Sequence, residues 1–506
     1  MSLKSILSFT FQYLTFFSKK RLLDALLHLR ENYLQLDKDY QNLLNKNKEL
    51  EEENNRLKSE QLKKKIQRVN QTMNQPSSKQ PEWELKGVGN DGIGKKRGRG
   101  KKGRKGAGNK AKDRPVTDHE TAKVERCDIC GKDLMEQPPL QSENVRIIED
   151  IPPMPIALKV IEVKQEKKYC THCKKVVTAR SEFALPGTDF GLNTTIKIAY
   201  LWIVSCLPFT RISLYLNTFF GQKISTAGLS SHMIGVAKLM TSVYEEILED
   251  VKSSAKIHAD ESGWRVNGKL WWLWVFGNSD CAYYTIDDSR GSDVVKKILG
   301  EIFEGILIVD GWKAYSILVC LQQSCMAHLL RKIRELYKVF PNLGSVFKFY
   351  VRFRKILRDG ERLQMKRKEF GEEVFKRCLK TLHTRLDELM RWPNPNDILS
   401  DIIEKVKRQR PRILTFVEHE GVPCHNNFAE SLIRKGVMKR KVSFGSKSAE
   451  GAKAYSVLLS IQTTCKLRNI NFVDFMIRSL KHYIRYGKPM LLKDYMANRA
   501  NYAMAA

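Results

Sequence analysis

The sequence predicts a multidomain α+β protein, and three observations predict it. Leucines recur every seventh residue near the N-terminus, which calls for a long helix. Two Cys-x-x-Cys pairs follow a glycine-rich basic stretch, which calls for a small metal-bound β module. Further on, segments patterned as strand, strand, strand, helix, strand call for a mixed α/β core.

The totals set the frame. A chain of 506 residues can hold several domains, each with its own core. It carries 88 Lys and Arg against 56 Asp and Glu, a formal charge of +32. That excess favours a polyanionic partner first and an anionic membrane surface second. A hydrophobic share of 42% excludes a wholly disordered chain. Four of the 11 cysteines fall in two close pairs, which suits metal ligation in a reducing compartment. No stretch reaches the roughly 18–20 apolar residues needed to span a bilayer. The N-terminal "SILSFTFQYLTFF" is short, dotted with polar residues and without a small-residue cleavage site, so it makes a poor signal peptide. The expectation is a cytoplasmic protein with no membrane partner, associated with the nucleoid if the source is prokaryotic.

Residues 1–66 read as a leucine-zipper coiled coil. Leu22, Leu29, Leu36, Leu43, Leu50 and Leu57 occupy d positions. The a positions are Leu26, Tyr33, Tyr40, Asn47 and Asn54, and the two asparagines suit a register-fixing role in a homo-oligomer. Lys64 takes the next d position, where the zipper should end. Residues 67–122 form a flexible basic linker, in which Lys95 to Arg114 holds 11 basic residues and one acid. Lys95, Lys96, Arg97, Arg99, Lys101, Lys102, Arg104 and Lys105 are candidate phosphate contacts. A membrane-surface helix is disfavoured there, because glycine replaces the apolar face it would need.

Residues 123–186 hold Cys127, Cys130, Cys170 and Cys173, four thiolates that suit one tetrahedral structural zinc. His172 sits inside the second pair as a bystander. Residues 187–252 are patterned as helices, broken at Gly221 and restarted near Ser225, and could include a helix-turn-helix.

The core begins at residue 253 and its first part runs to 338. "AKIHAD" reads as a strand ending at Asp260, "KLWWLWVFG" and "CAYYTID" as the next two, "SDVVKKILGEIF" as a helix and "GILIVDGW" as a strand ending at Asp310. That order opens an RNase H-like sheet, in which the first and fourth strands are neighbours and their carboxylates face one point. Two-metal phosphoryl transfer needs such convergence, with ions roughly 3.5–4 Å apart clamping a phosphodiester. Mg²⁺ takes hard oxygen ligands and keeps waters, and Mn²⁺ could replace it. Glu430, on a helix started by Asn426 or Asn427 in the second part of the core (425–480), is the candidate third acid. Arg434, Lys435, Lys439, Arg440 and Lys441 would give that helix a cationic stripe beside the acid. Singly, each acid reads as a turn or surface residue. Asp287, Asp288 and Asp293 read as caps, and His258 as a support for Asp260.

Taken together, "ADESGWRVNGKLWWLWVF", "VDGWKAY", "CMAHLLRKI" and "NNFAES...FGSKSAEGAKAYS...TCK" resemble the signature blocks of the insertion-sequence-66 family of DDE transposases. The resemblance spans about residues 20–480. It implies an RNase H-like core that cleaves DNA and joins it at element ends with Mg²⁺, and it assigns Asp260, Asp310 and Glu430 as the triad. The sequence departs from the family pattern at His425, where an acid is usual, and at Ser431, where an arginine is usual.

Residues 339–424 are strongly helical and basic and read as an all-α insertion that grips DNA. Cys325 and His328, just before it, form a C-x-x-H pair that either binds a metal or braces the insertion against the core, with bracing the favoured role. Residues 481–506 read as a C-terminal tail. The expected function is a DNA transposase acting on terminal repeats and target DNA, working as an oligomer with accessory element-encoded proteins as further candidate partners. The alternatives are an RNase H-like nuclease or resolvase, and a non-catalytic DNA-binding protein of transposase descent.

Overall fold

A computed structural model describes residues 19–73, 133, 135, 136, 156, 158–172, 174–393 and 397–504. It divides into two compact units. One holds the N-terminal helix and Ile302–Asn427; the other holds the described residues within Gln80–Glu301 and those from Phe428 onward.

The heptad region forms a single helix, α1 (Lys19–Met73), which continues past Lys64. Leu36, Leu43, Leu50 and Leu57 are exposed along it, as are Tyr33 and Tyr40. The predicted linker, with Lys95, Lys96, Arg97, Arg99, Lys101, Lys102, Arg104 and Lys105, lies outside the described residues. So do Cys127, Cys130 and Cys173, and nothing is described of the Cys170 side chain. A hairpin of β1 (Lys167–Cys170) and β2 (Lys175–Thr178) surrounds the second cysteine pair, and Lys174 turns the chain back at φ 52°.

The predicted helical stretch contains α2 (Leu192–Ala199), which runs into a π-turn at Tyr200–Val204, then α3 (Phe209–Phe220), α4 (Thr226–Leu239) and α5 (Thr241–Lys252). Gly221 closes α3 in the left-handed conformation that glycine adopts at no steric cost. Ser225 caps α4 by accepting from the Gly228 amide at 3.0 Å.

Three antiparallel strands follow: β3 (Lys256–Val266), β4 (Lys269–Gly277) and β5 (Ala282–Asp287). Strand β3 does not stop at Asp260 as its sequence suggested. Asp260 pairs with Val275 in mid-strand, and the hairpin extends to Val266 opposite Lys269. The reason is the Asn267-Gly268 turn, whose two residues both have positive φ (47° and 77°), the geometry that matches strand twist in a two-residue hairpin. Helix α6 (Ser292–Leu299) then ends this part of the chain's path.

The other unit pairs β6 (Ile302–Val309) in parallel with β7 (Val319–Ser324). Helices α7 (Met326–Val339), α8 (Gly344–Met365), α9 (Glu372–Met390), α10 (Ser400–Gln409) and α11 (Thr415–Glu418) complete it. The expected insertion is therefore helical, and it shares one core with Ile308. Phe349, Phe353, Leu386, Ile402 and Phe416 are all buried in that core. Gly360 lets α8 approach α11, since a Cβ there would stand 2.9 Å from Phe416 Cζ.

The chain returns with α12 (Asn427–Ser443), α13 (Ala449–Leu467), α14 (Phe472–Tyr486) and α15 (Leu492–Met504). Helix α13 is buried nearly all round, as a central helix must be. Its Tyr455 ring stacks on Trp264 of β3 at 5.2 Å. Within the predicted C-terminal tail, Leu492–Met504 forms α15. Glu246 of α5 accepts from the Leu492 and Lys493 amides at 2.8 and 2.9 Å and so caps α15. Among the described residues no helix is long and apolar enough to cross a membrane.

Candidate active site

Side chains alternate across a strand, so His258, Asp260, Ser262 and Trp264 share one face of β3. Helix α12 and the turn after it cover that face. His258 meets the Phe428 ring at 5.2 Å, Ser262 Oγ accepts from Arg440 Nη1 at 3.2 Å, and Trp264 Nε1 donates to Ser446 Oγ at 3.2 Å. These contacts advance together along strand and helix, so α12 runs alongside β3 in the same direction. Asp260 lies between the first and second of them, and Glu430 is two residues into the helix from Phe428. One end of this region thus holds a carboxylate on the covered strand face and another on the covering helix.

Both acids are withdrawn from solvent. Asp260 is 5% exposed, and its Oδ1 accepts from the Glu261 amide at 2.9 Å. Glu430 is half-buried. Helix α12 is held tightly over the strands. The Tyr284 hydroxyl donates to the Leu432 carbonyl at 2.9 Å, and a Cβ on Gly436 would overlap Leu273 Cδ2. Glu261 points to the opposite face, where it is buried and takes both Nε and Nη2 of Arg290 on one oxygen, at 3.1 and 2.8 Å. Arg290 also lies over the Trp272 ring at 4.4 Å. Sequence reading missed this pair, because nothing local marks Arg290 as the partner of Glu261.

In the other unit, Asp310 follows the last residue of β6 and accepts from the Trp312 amide at 2.8 Å. Gly311 has φ 83°, and a Cβ on it would overlap Gln409 Nε2, so α10 fits closely against this turn. Burial pushes the Lys405 ammonium of α10 below the usual lysine range, against the opposing pull of the Asp310 carboxylate. Cys325 is buried at the end of β7. Its amide donates to the Val309 carbonyl at 2.7 Å, its sulfur accepts from the Asn426 amide at 3.1 Å, and the Met326 amide donates to Cys424 O at 2.9 Å. Cys325 thereby ties the approach to α12 to the strand ends.

The cationic stripe divides. Arg434 and Lys441 are exposed. Lys439 is corrected: it is 3% exposed and its ammonium donates to the Leu207 carbonyl at 2.7 Å, so it faces the interior. Arg440 is half-buried and donates to the Gly263 carbonyl. Lys435 is likewise turned inward, donating to Gln462 Oε1, and burial pushes both Lys435 and Lys439 down to about 8. His425 and Ser431 are exposed, and the Ser431 hydroxyl donates to the Phe428 carbonyl at 2.7 Å. Asp287 and Asp293 act in the turn before α6, accepting from the Ser289 amide and hydroxyl at 3.1 and 2.9 Å. Among the described residues no three His, Cys, Asp or Glu side chains form a ready metal cage.

Residues 188–454, more than half of the chain, match the family described as "Transposase IS66 family". Two proteins of Sinorhizobium fredii (strain NBRC 101917 / NGR234) are also similar. Uncharacterized protein y4qI is 23% identical over 60% of this chain, and the match covers 65% of its own length. Uncharacterized protein y4hP is 23% identical over 70% of this chain and 71% of its own. A third, uncharacterized protein y4jO, is 30% identical over 15% of this chain and 24% of its own.

Proposed function

The chain belongs to the transposase IS66 family, and from that premise we propose that it is a DNA transposase that cleaves and joins phosphodiesters at the ends of a mobile element. The observation that carries this reading is the pairing of a buried Asp260 on β3 with a helix, α12, that runs along the same strand face and bears Glu430. In this reading Asp310, at the end of β6, supplies the third carboxylate of a DDE triad on an RNase H-like core.

The donor set fits Mg²⁺. All three residues offer hard carboxylate oxygens, and Mg²⁺ is commonly held by one or two carboxylates with waters and substrate phosphates. A protein cage of three ligands is therefore not required. Bound there, the ion would activate water or a 3′-hydroxyl and neutralise charge on the phosphodiester. The chain's own part is to hold these carboxylates in place. The β3 ladder and the Glu261 amide fix Asp260, the Tyr284 and Arg440 bonds fix the helix of Glu430, and Cys325 fixes the segment leading to it.

Other features support the remaining parts of the reading. The exposed leucines of α1 suit self-association, which synapsis of two DNA ends requires. The β1–β2 hairpin around Cys170 suits a zinc knuckle completed by Cys127, Cys130 and Cys173. Arg434 and Lys441 on α12 offer contacts to phosphate, and so does a groove between α8 and α9 lined by Arg352, Lys355 and Arg385.

The test is cleavage and strand transfer in vitro, with Mg²⁺ and a DNA fragment carrying the element's ends. Wild type should give cut and joined product. Asp260→Ala, Asp310→Ala and Glu430→Ala should each lower the rate at least ~10²-fold, as loss of several kcal/mol of metal-borne stabilisation requires. Salt-sensitive DNA binding with no cleavage, unaffected by the three changes, would instead identify a non-catalytic DNA-binding protein.

A further inference from the structure

Helix α12 ends in an unusual way. The position after it is left-handed, with φ 60°, and the residue there is Phe444. Glycine is the ordinary occupant of such a position, because a bulky side chain at positive φ is strained. Burial does not compensate, since Phe444 is 80% exposed.

The backbone around it is firmly anchored. The Phe444 amide donates to the Arg440 carbonyl at 2.8 Å. Gly445 has φ 126° and presses so closely on the Arg265 carbonyl that a Cβ there would overlap it. Ser446 donates to that carbonyl at 2.8 Å, and the Asn267 amide donates to the Ser446 carbonyl at 2.9 Å. The ring is therefore presented from a rigid mount on the β3–β4 turn. Exposed cations lie on the same segments: Lys441, Lys447, Arg265 and Lys269.

A strained residue held by its surroundings points to a function. An exposed ring among cations has the chemistry of a single-stranded nucleic-acid platform, where bases stack on aromatics and phosphates are neutralised nearby. A base inside a duplex offers no free face to such a ring, whereas an unpaired base does. We propose that Phe444 stacks on an unpaired base of DNA at the far end of α12 from Glu430, about 20 Å along the helix. This rests on the transposase reading and adds to it a contact to the melted or overhanging end.

The experiment uses the full chain and fluorescence anisotropy. One probe is a duplex with a three-nucleotide single-stranded overhang; the other carries the same overhang without bases. Wild type should prefer the first roughly tenfold, the scale of one stacked base. Phe444→Gly should abolish the preference and Phe444→Trp should keep it. Phe444→Gly should also melt at or above the wild-type temperature, because glycine relieves the backbone. An unchanged preference in Phe444→Gly, or a markedly lower melting temperature, would overturn the proposal and make Phe444 a packing residue. Equal wild-type binding to both probes would overturn it while leaving the transposase reading intact. Binding to neither would overturn both.

Discussion

The Ser460 hydroxyl of α13 accepts from the Tyr284 amide of β5 at 2.8 Å. One helical turn on, Thr464 Oγ1 accepts from the Ala282 amide at 3.1 Å. Strand β5 pairs with β4 on one side only, so these hydroxyls satisfy amides that would otherwise be buried without partners. Ser460→Ala should therefore destabilise the protein by about 1–3 kcal/mol, the cost of an orphaned buried donor. Urea denaturation would measure it, and hydrogen exchange should quicken at the Tyr284 amide. A change below a few tenths of a kcal/mol would mean that the strand edge is satisfied in some other way.

Gly436 is where α12 comes closest to β4. Gly436→Ala should push against Leu273 and cost about 1–3 kcal/mol, the usual range for overpacking. Leu273→Ala alone should cost about 2–5 kcal/mol through its cavity. The double variant should be less destabilised than the two costs added, because the new methyl fills part of the space that Leu273 vacates. Strict additivity in denaturant melts would disprove the contact.

His232 carries a pH signature. Its Nε2 is 2.8 Å from Thr195 Oγ1, and burial lowers its pKa to about 4. The ordinary value is about 6.5, so between the two the unfolded chain binds a proton that the folded chain does not. The associated stabilisation is complete above about pH 6.5 and is lost as pH falls through about 4. The melting temperature of wild type should drop across that window, and His232→Gln should show a shallower drop. Parallel curves for the two proteins would contradict this assignment.

Zinc offers a separate check. The purified chain should hold one zinc per polypeptide by elemental analysis, and Cys170→Ser should lose it. Chelation should unfold the β1–β2 hairpin first, because small metal modules draw their folding energy from the ion. A chain without zinc and with unchanged stability in chelator would remove the zinc module from the reading.

Much of the local architecture is legible in the sequence. Asn267-Gly268 marks its hairpin, Gly221 and Ser225 mark the end of one helix and the start of the next, and the heptad leucines mark α1. Each depends on backbone preference or side-chain period, which neighbouring residues carry with them. The length of β3 was misread because "AKIHAD" looks complete by itself. Its extension to Val266 follows from the Asn267-Gly268 turn, which lies beyond "AKIHAD" and sets the register with β4.

The sequence by itself determined the family blocks and most of the helix and strand types. Only tertiary structure decided which side chains face inward. Arg434 and Lys439 look alike as cations on one helix, yet Lys439 is buried because the Leu207 carbonyl, 232 residues away, accepts a hydrogen bond from its ammonium. Ser456, Ser460 and Thr464 look like the wet side of an amphipathic helix, yet all three are buried. The physical reason is common to both cases. Whether a polar group faces water depends on whether the folded chain brings it a partner, and those partners come from residues distant in sequence.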